Sequence, residues 1–136
     1  MTDLGEMEQR LLSELEEPGD MDAPTLLSET TACTGDMSEV RAAQAALTAL
    51  VEAGLVVAGE RAPANGWWLQ EMSKDKSLVA IADLGARVVF SSNDRRWIGA
   101  GKSRFEIVAT EAGLAAAEDV LRRHDGYRWW RSDRDA

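Results

Sequence analysis

Cysteine and histidine are almost missing from this chain. Cys33 and His124 are the single representatives of their types among 136 residues. One cysteine excludes an internal disulfide, and the distance in sequence between the two leaves no His/Cys metal cluster to assemble. Cys33 also has no basic neighbour that would favour a thiolate, so a small buried side chain is expected there. Long apolar runs are absent as well: no stretch approaches the ~20 residues of a membrane span. The acidic start, Met1-Thr2-Asp3-Leu4-Gly5-Glu6, lacks the basic and apolar regions of a signal peptide. A cytoplasmic protein without cofactor or metal is therefore expected. Asp83, Asp94 and Glu106 show no spacing that pairs carboxylates for acid–base work, and no nucleophile–base set appears, so the chain does not read as an enzyme.

What is present fits one globular domain: 45% hydrophobic and 29% charged residues in 14.8 kDa. The net charge of −9 is unevenly placed. Residues 1–60 hold 13 acidic and 2 basic side chains, whereas residues 61–136 hold 11 and 13. Such acidity opposes a purely electrostatic nucleic-acid binder.

Periodicity supplies the elements. Leu4, Met7, Leu11, Leu12 and Leu15 recur at helical spacing over 4–16, and Pro18-Gly19 ends that helix. Asp22 and Pro24 suit the start of a short helix at 23–30. The turn-forming run Thr30–Gly35 follows. Asp36 and Glu39 resemble a capping box, opening a helix over 36–53 with Met37, Val40, Ala43, Leu47, Leu50 and Val51 on one face and Gly54 at its C′ position. Residues 55–70 read as a β-hairpin with Trp67-Trp68-Leu69 in the returning strand and a polar tip at Glu60–Gly66. Leu78–Ala82 and Arg87–Phe90 are β-like runs. Phe105–Val108 reads as a strand, and Thr110 caps a helix at 111–123 that Gly126 terminates. Gly99-Ala100-Gly101-Lys102-Ser103 looks like part of a phosphate-binding loop, but position 96 is Arg instead of Gly and a strand follows, so it reads as a basic turn.

Helix, short helix, turn, longer helix and hairpin is the order of a winged helix-turn-helix domain. Ala46-Leu47-Thr48-Ala49-Leu50-Val51-Glu52-Ala53-Gly54-Leu55-Val56 resembles the recognition helix running into the wing of bacterial transcriptional regulators. Thr110-Glu111-Ala112-Gly113 is similar to the segment that opens their post-wing helix. The resemblance implies an α+β fold: a winged helix-turn-helix over 1–126, with an extended β-rich excursion at 71–104 after the wing, a C-terminal helix, and a tail at 127–136. It also implies a dimeric DNA-binding transcriptional regulator. Double-stranded DNA would meet Ser38, Arg41, Gln44 and Thr48 on the third helix, Arg61 and Asn65 at the wing, and Lys74 and Lys76 beyond it. The alternative is a winged-helix protein–protein interaction module without DNA binding, which the acidic N-terminal half favours. Five tryptophans are many for this length, and Trp97, Trp129 and Trp130 are the candidates for a homodimer or partner interface. No membrane contact is expected.

Overall fold

The computed structural model describes residues 3–131. Among them are six α-helices, six β-strands and two short 3-10 turns, in the order α1 (Glu6–Leu15), β1 (Asp20–Asp22), α2 (Ala23–Thr30), α3 (Met37–Glu52), β2 (Val56–Arg61), β3 (Gln70–Glu71), α4 (Lys74–Ala82), α5 (Leu84–Arg87), β4 (Val88–Ser91), β5 (Arg96–Gly99), β6 (Arg104–Ala109) and α6 (Glu111–His124). This is an α+β architecture. Its main sheet is antiparallel with strand order β1-β6-β2-β3, and β4 and β5 form a separate hairpin. Residues 132–136 of the expected tail, Arg134 included, lie outside the described residues.

Local chemistry explains the helix starts. Asp22 accepts from Thr25 N at 3.1 Å, Ser73 Oγ from Lys76 N at 3.2 Å and Thr110 Oγ1 from Gly113 N at 3.0 Å, so each satisfies an N–H that a helix start leaves without a partner. The core lies between α1, α2, α3 and α6 and one face of the sheet. Leu11, Leu15, Leu26, Leu50, Val56 and Ile107 are all within 1% of complete burial. Ile81, Leu84, Val88 and Trp97 extend the same core into the segment between β2 and β6.

Several expectations need correction. The residues that return to pair with β2 are mainly those of β6, through six pairs from Val56↔Ala109 to Arg61↔Arg104. The local partner β3 supplies only Gly59↔Glu71 and Glu60↔Gln70. Trp67 is not in a strand; it has φ 67°, in the left-handed region of a turn. Leu78–Ala82 is helical, because Ser73 caps α4 and Ser77, Ala80 and Ile81 bury one helical edge, leaving the β-former Val79 73% exposed. The excursion is accordingly mixed, two helices and a hairpin, and not β-rich. Strand β1 was not expected: three residues are too short to show a period. Met37 leaves the α3 core face and is exposed.

The Asp36/Glu39 pair also differs from a capping box. Asp36 caps Ser38 N at 2.8 Å, but the Glu39 carboxylate turns to the preceding loop. It accepts from Thr34 N at 3.0 Å and Gly35 N at 3.3 Å, and from the indole Nε1 of Trp97 at 3.1 Å. Trp97 N donates in turn to Ser28 Oγ at 2.9 Å. One buried carboxylate thus ties the β4–β5 hairpin to the α2–α3 corner. Cys33, in that corner at φ 59°, is half-buried, and its Sγ donates to Arg95 O at 3.3 Å.

The start of α6 presses on the end of α3. Thr110 N donates to Leu55 O at 3.0 Å, and Thr110 Oγ1 to Gly54 O at 2.8 Å. A Cβ at Gly113 would stand 1.9 Å from Leu55 O, so only glycine fits without backbone movement. Gly113→Ala is expected to destabilise by at least ~1–3 kcal/mol, the usual range for overpacking. Gly101→Ala, where a Cβ meets nothing within 4 Å, is expected to stay within ~0.5 kcal/mol of wild type. Urea unfolding of both checks this; equal midpoints would contradict the close approach.

Candidate functional site

Two surfaces merit description: the α3 face on which DNA contacts were expected, and the outer face of the sheet.

On α3, Ser38 and Arg41 are exposed, together with Ala42, Ala45, Ala49 and Glu52. Gln44 and Thr48 are not free. Helix α4 runs antiparallel along this flank with α5 packed beside it, and Gln44 Nε2 donates to Ala82 O at 2.8 Å, at the end of α4. Thr48 Oγ1 donates to its own helix at Gln44 O, 2.8 Å away. Lys74 Nζ donates to Glu52 O at 3.2 Å, where a cation meets the negative end of the α3 dipole. Lys76 is exposed on α4. Asn65 Oδ1 accepts from Ala62 N at 3.2 Å and builds the turn after β2. The structure therefore does not bring the eight expected DNA residues onto one surface.

Arg61 belongs to the second surface. Directly opposed residues share a face of an antiparallel pair. The register therefore sets Asp20 and Asp22 of β1, Arg104 and Glu106 of β6, and Gly59 and Arg61 of β2 on one side of the sheet, away from the core. Arg61 Nη2 lies 3.3 Å from Asp20 and Nε 3.3 Å from Glu106; its Nη1 donates to Trp67 O at 3.1 Å. Arg104 Nη2 lies 3.4 Å from Asp22 and 3.6 Å from Glu106 Oε2. These residues and Trp67 line an open cleft of about 400 Å³.

Glu106 is the unusual member. It is 1% exposed. A Cβ at Gly59 would meet Leu69 Cδ1 at 2.8 Å, so Leu69 lies over the sheet beside it. Burial pushes its carboxyl up from 4.5 to about 7, a hydrogen bond with Asp20 adds to the rise, and the Arg104 and Arg61 guanidiniums oppose it. The Arg61 guanidinium is itself held more firmly protonated, chiefly by its bond to Asp20. Sequence spacing could not show Glu106 as special, since the residues around it come from three separate strands.

The tryptophans expected at an interface serve their own chain. Trp97 is 2% exposed, in the core. Trp129 stacks on His124, with ring centroids 3.6 Å apart and planes 3° apart. Trp130 Nε1 donates to Glu29 O at 3.3 Å, and Arg10 sits over the Trp130 ring. Arg128 pairs with Glu14 at 3.2 Å and Arg131 with Glu29 at 2.7 Å. Tyr127 Oη donates to Glu16 at 2.5 Å, which pushes its phenol up to about 12. The exposed indoles are Trp67 and Trp68, at 46% and 77%.

No group of three or more His, Cys, Asp or Glu among the described residues could hold a metal ion, and none of their helices is long and apolar enough to cross a membrane. Known proteins give no match: no family model, no curated protein and no solved structure aligns significantly with this chain.

The raised carboxyl of Glu106 carries a pH signature. Its folded value near 7 lies above the ordinary 4.5, so the native state holds the proton more tightly. That contribution to stability is complete below 4.5 and is lost as pH rises to about 7. Glu106→Gln keeps the shape and removes the titration. The wild-type-minus-variant stability difference is expected to fall by ~2–3 kcal/mol across that window. Chemical unfolding at successive pH values measures it; a flat difference would exclude the shift.

Proposed function

We propose that the chain is a winged-helix module that works by protein contact, without catalysis and without reading DNA. The winged-helix part of the reading rests on topology. Helix α1, strand β1, helices α2 and α3 and then β2, with β6 returning between β1 and β2, is the arrangement such a domain requires. On this reading β2 and β6 are the two wing strands, residues 62–103 are an insertion within the wing and not after it, and α6 is the post-wing helix.

One observation carries the choice of partner. The insertion folds back along α3, where its Ala82 O takes Gln44 and its Lys74 takes the carbonyl of Glu52, while Arg61 is held in the carboxylate cluster of the sheet. A recognition helix needs a free polar face and cations at the phosphates. Here the open residues of α3 are one Arg, one Ser, one Glu and one Met among alanines. A protein partner tolerates that composition; a duplex does not. A cytoplasmic location suits either reading.

Ser38 and Arg41, exposed near the start of α3, favour the second reading, a dimeric DNA-binding regulator. Fluorescence anisotropy of a labelled random duplex at low salt separates the two. No saturable rise is expected at protein concentrations around the ~1–100 μM of ordinary non-specific affinity. A rise that weakens with salt and drops on Arg41→Ala, by ~1–3 kcal/mol if that side chain reads a base, would restore the regulator.

A further inference from the structure

The segment that closes the insertion, Gly99–Arg104, forms no Walker-type loop: position 96 is arginine, and strand β6 follows where a helix would be needed. It does wall a cleft of about 360 Å³, set between the start of α2 and the end of α5. Arg87, Lys102 and Arg104 line this cleft against one carboxylate, Asp22, which is already paired with Arg104 at 3.4 Å. The local balance is cationic, although the chain as a whole is acidic.

The donors here are underused. The Arg87 guanidinium lies over the Phe105 ring, 4.6 Å from its centroid. Its Nε is buried without a hydrogen-bond acceptor, and the nearest carboxylate, Asp83, is 3.9 Å away. Lys102 forms no ion pair among the described residues. The backbone N–H groups of Gly101, Lys102 and Ser103 have no acceptor there either. No heavy atom stands within 4 Å of a Cβ placed on Gly101, so the loop is open on that side. Pro24 and Phe105 add an apolar wall. Cationic side chains and consecutive amides without acceptors form a concavity suited to an oxyanion with several acceptor oxygens. Only the edges of Pro24 and Phe105 reach the cleft, since Phe105 is largely buried beneath Arg87, and they suit a small organic group attached to that oxyanion.

We propose that this cleft binds the phosphate group of a small organic phosphate monoester. It lies apart from the α3 face, so the protein-contact reading and this one stand or fall separately.

The test is a titration of the isotope-labelled full chain with phenyl phosphate at low ionic strength, followed by amide shifts. Saturable shifts at Gly101, Lys102 and Ser103 are expected. Lys102→Ala, at an exposed position that keeps the fold, should weaken binding about tenfold, as expected for one charge-assisted hydrogen bond. Arg122→Ala, on the surface of α6, should leave it unchanged. The proposal is overturned if phenol shifts the same amides equally well, since the site is then merely apolar. It is also overturned if the shifts never saturate and spread to the cations of α4 and α6. A third contrary result is flotation with phosphatidic-acid vesicles while phenyl phosphate leaves the loop amides unmoved, which would assign the cations to a membrane surface.

Discussion

The ladder between β2 and β6 is the constraint from which most of the molecule follows. Its six residue pairs bring together Arg61 and Arg104, with 42 residues between them in the chain. Closing such a loop costs entropy that grows only slowly with length, but ordering the loop's own residues costs far more. The insertion offsets that cost by joining the existing core. Ile81, Leu84, Val88 and Trp97 bury against it, and the Glu39 carboxylate holds the indole N–H of Trp97. Without that acceptor the buried N–H would have no partner, a loss of ~1–3 kcal/mol. The core and the insertion are therefore mutually dependent, and the α2–α3 corner is where they meet.

The same ladder dictates the charges on the sheet's outer face. Its register sets Arg61 directly opposite Arg104, a like-charge pair that is destabilising on its own. Asp20, Asp22 and Glu106 compensate from the adjacent strands. Burial raises the Glu106 carboxyl and a hydrogen bond with Asp20 adds to the rise, while the Arg104 and Arg61 guanidiniums oppose it. An arginine expected to touch DNA at a wing tip is thus engaged within its own sheet, where it balances the carboxylates of Asp20 and Glu106.

What could be read from the sequence was local. The α3 boundaries, the Gly54 stop at φ 76° and the Thr110 cap all rest on residues within one turn of each other, whereas the need for glycine at 113 arises from Leu55 O, far away in the chain. Helix α4 was misread because Leu78–Ala82 is rich in β-formers, and a five-residue apolar run has the same pattern in either state. The Ser73 cap was the available signal. Strand β1 and the β2–β6 pairing were not legible, since both depend on partners more than 40 residues away, and Asn65-Gly66 offered a nearer turn that formed without closing a long hairpin. The candidate sites suffered most. Arg61, Gln44 and Lys74 were correctly read as polar, but their partners come from elements whose position no short pattern encodes.

Charge asymmetry, in contrast, was legible and acquires a structural meaning. The acidic first half would repel itself along α1 and α2, and the more basic second half folds back to meet it. Arg128 reaches the buried carboxylate of Glu14, Arg131 reaches Glu29, and Trp130 and Tyr127 donate to the same two helices. Cations drawn into this clasp, or into the sheet cluster with Arg61 and Arg104, are lost to any external polyanion. Among the described residues, Arg41, Lys74, Lys76, Arg95, Arg96 and Lys102 form no ion pair, and they are spread over α3, α4, the β4–β5 hairpin and the loop before β6. A duplex presents phosphates in a long regular row and rewards aligned cations. A short compact anion rewards a few donors converging on one cleft. The unpaired cations form no such row, whereas the cleft before β6 gathers Arg87, Lys102 and Arg104, so the acidity of the chain does not oppose the local anion contact proposed for it.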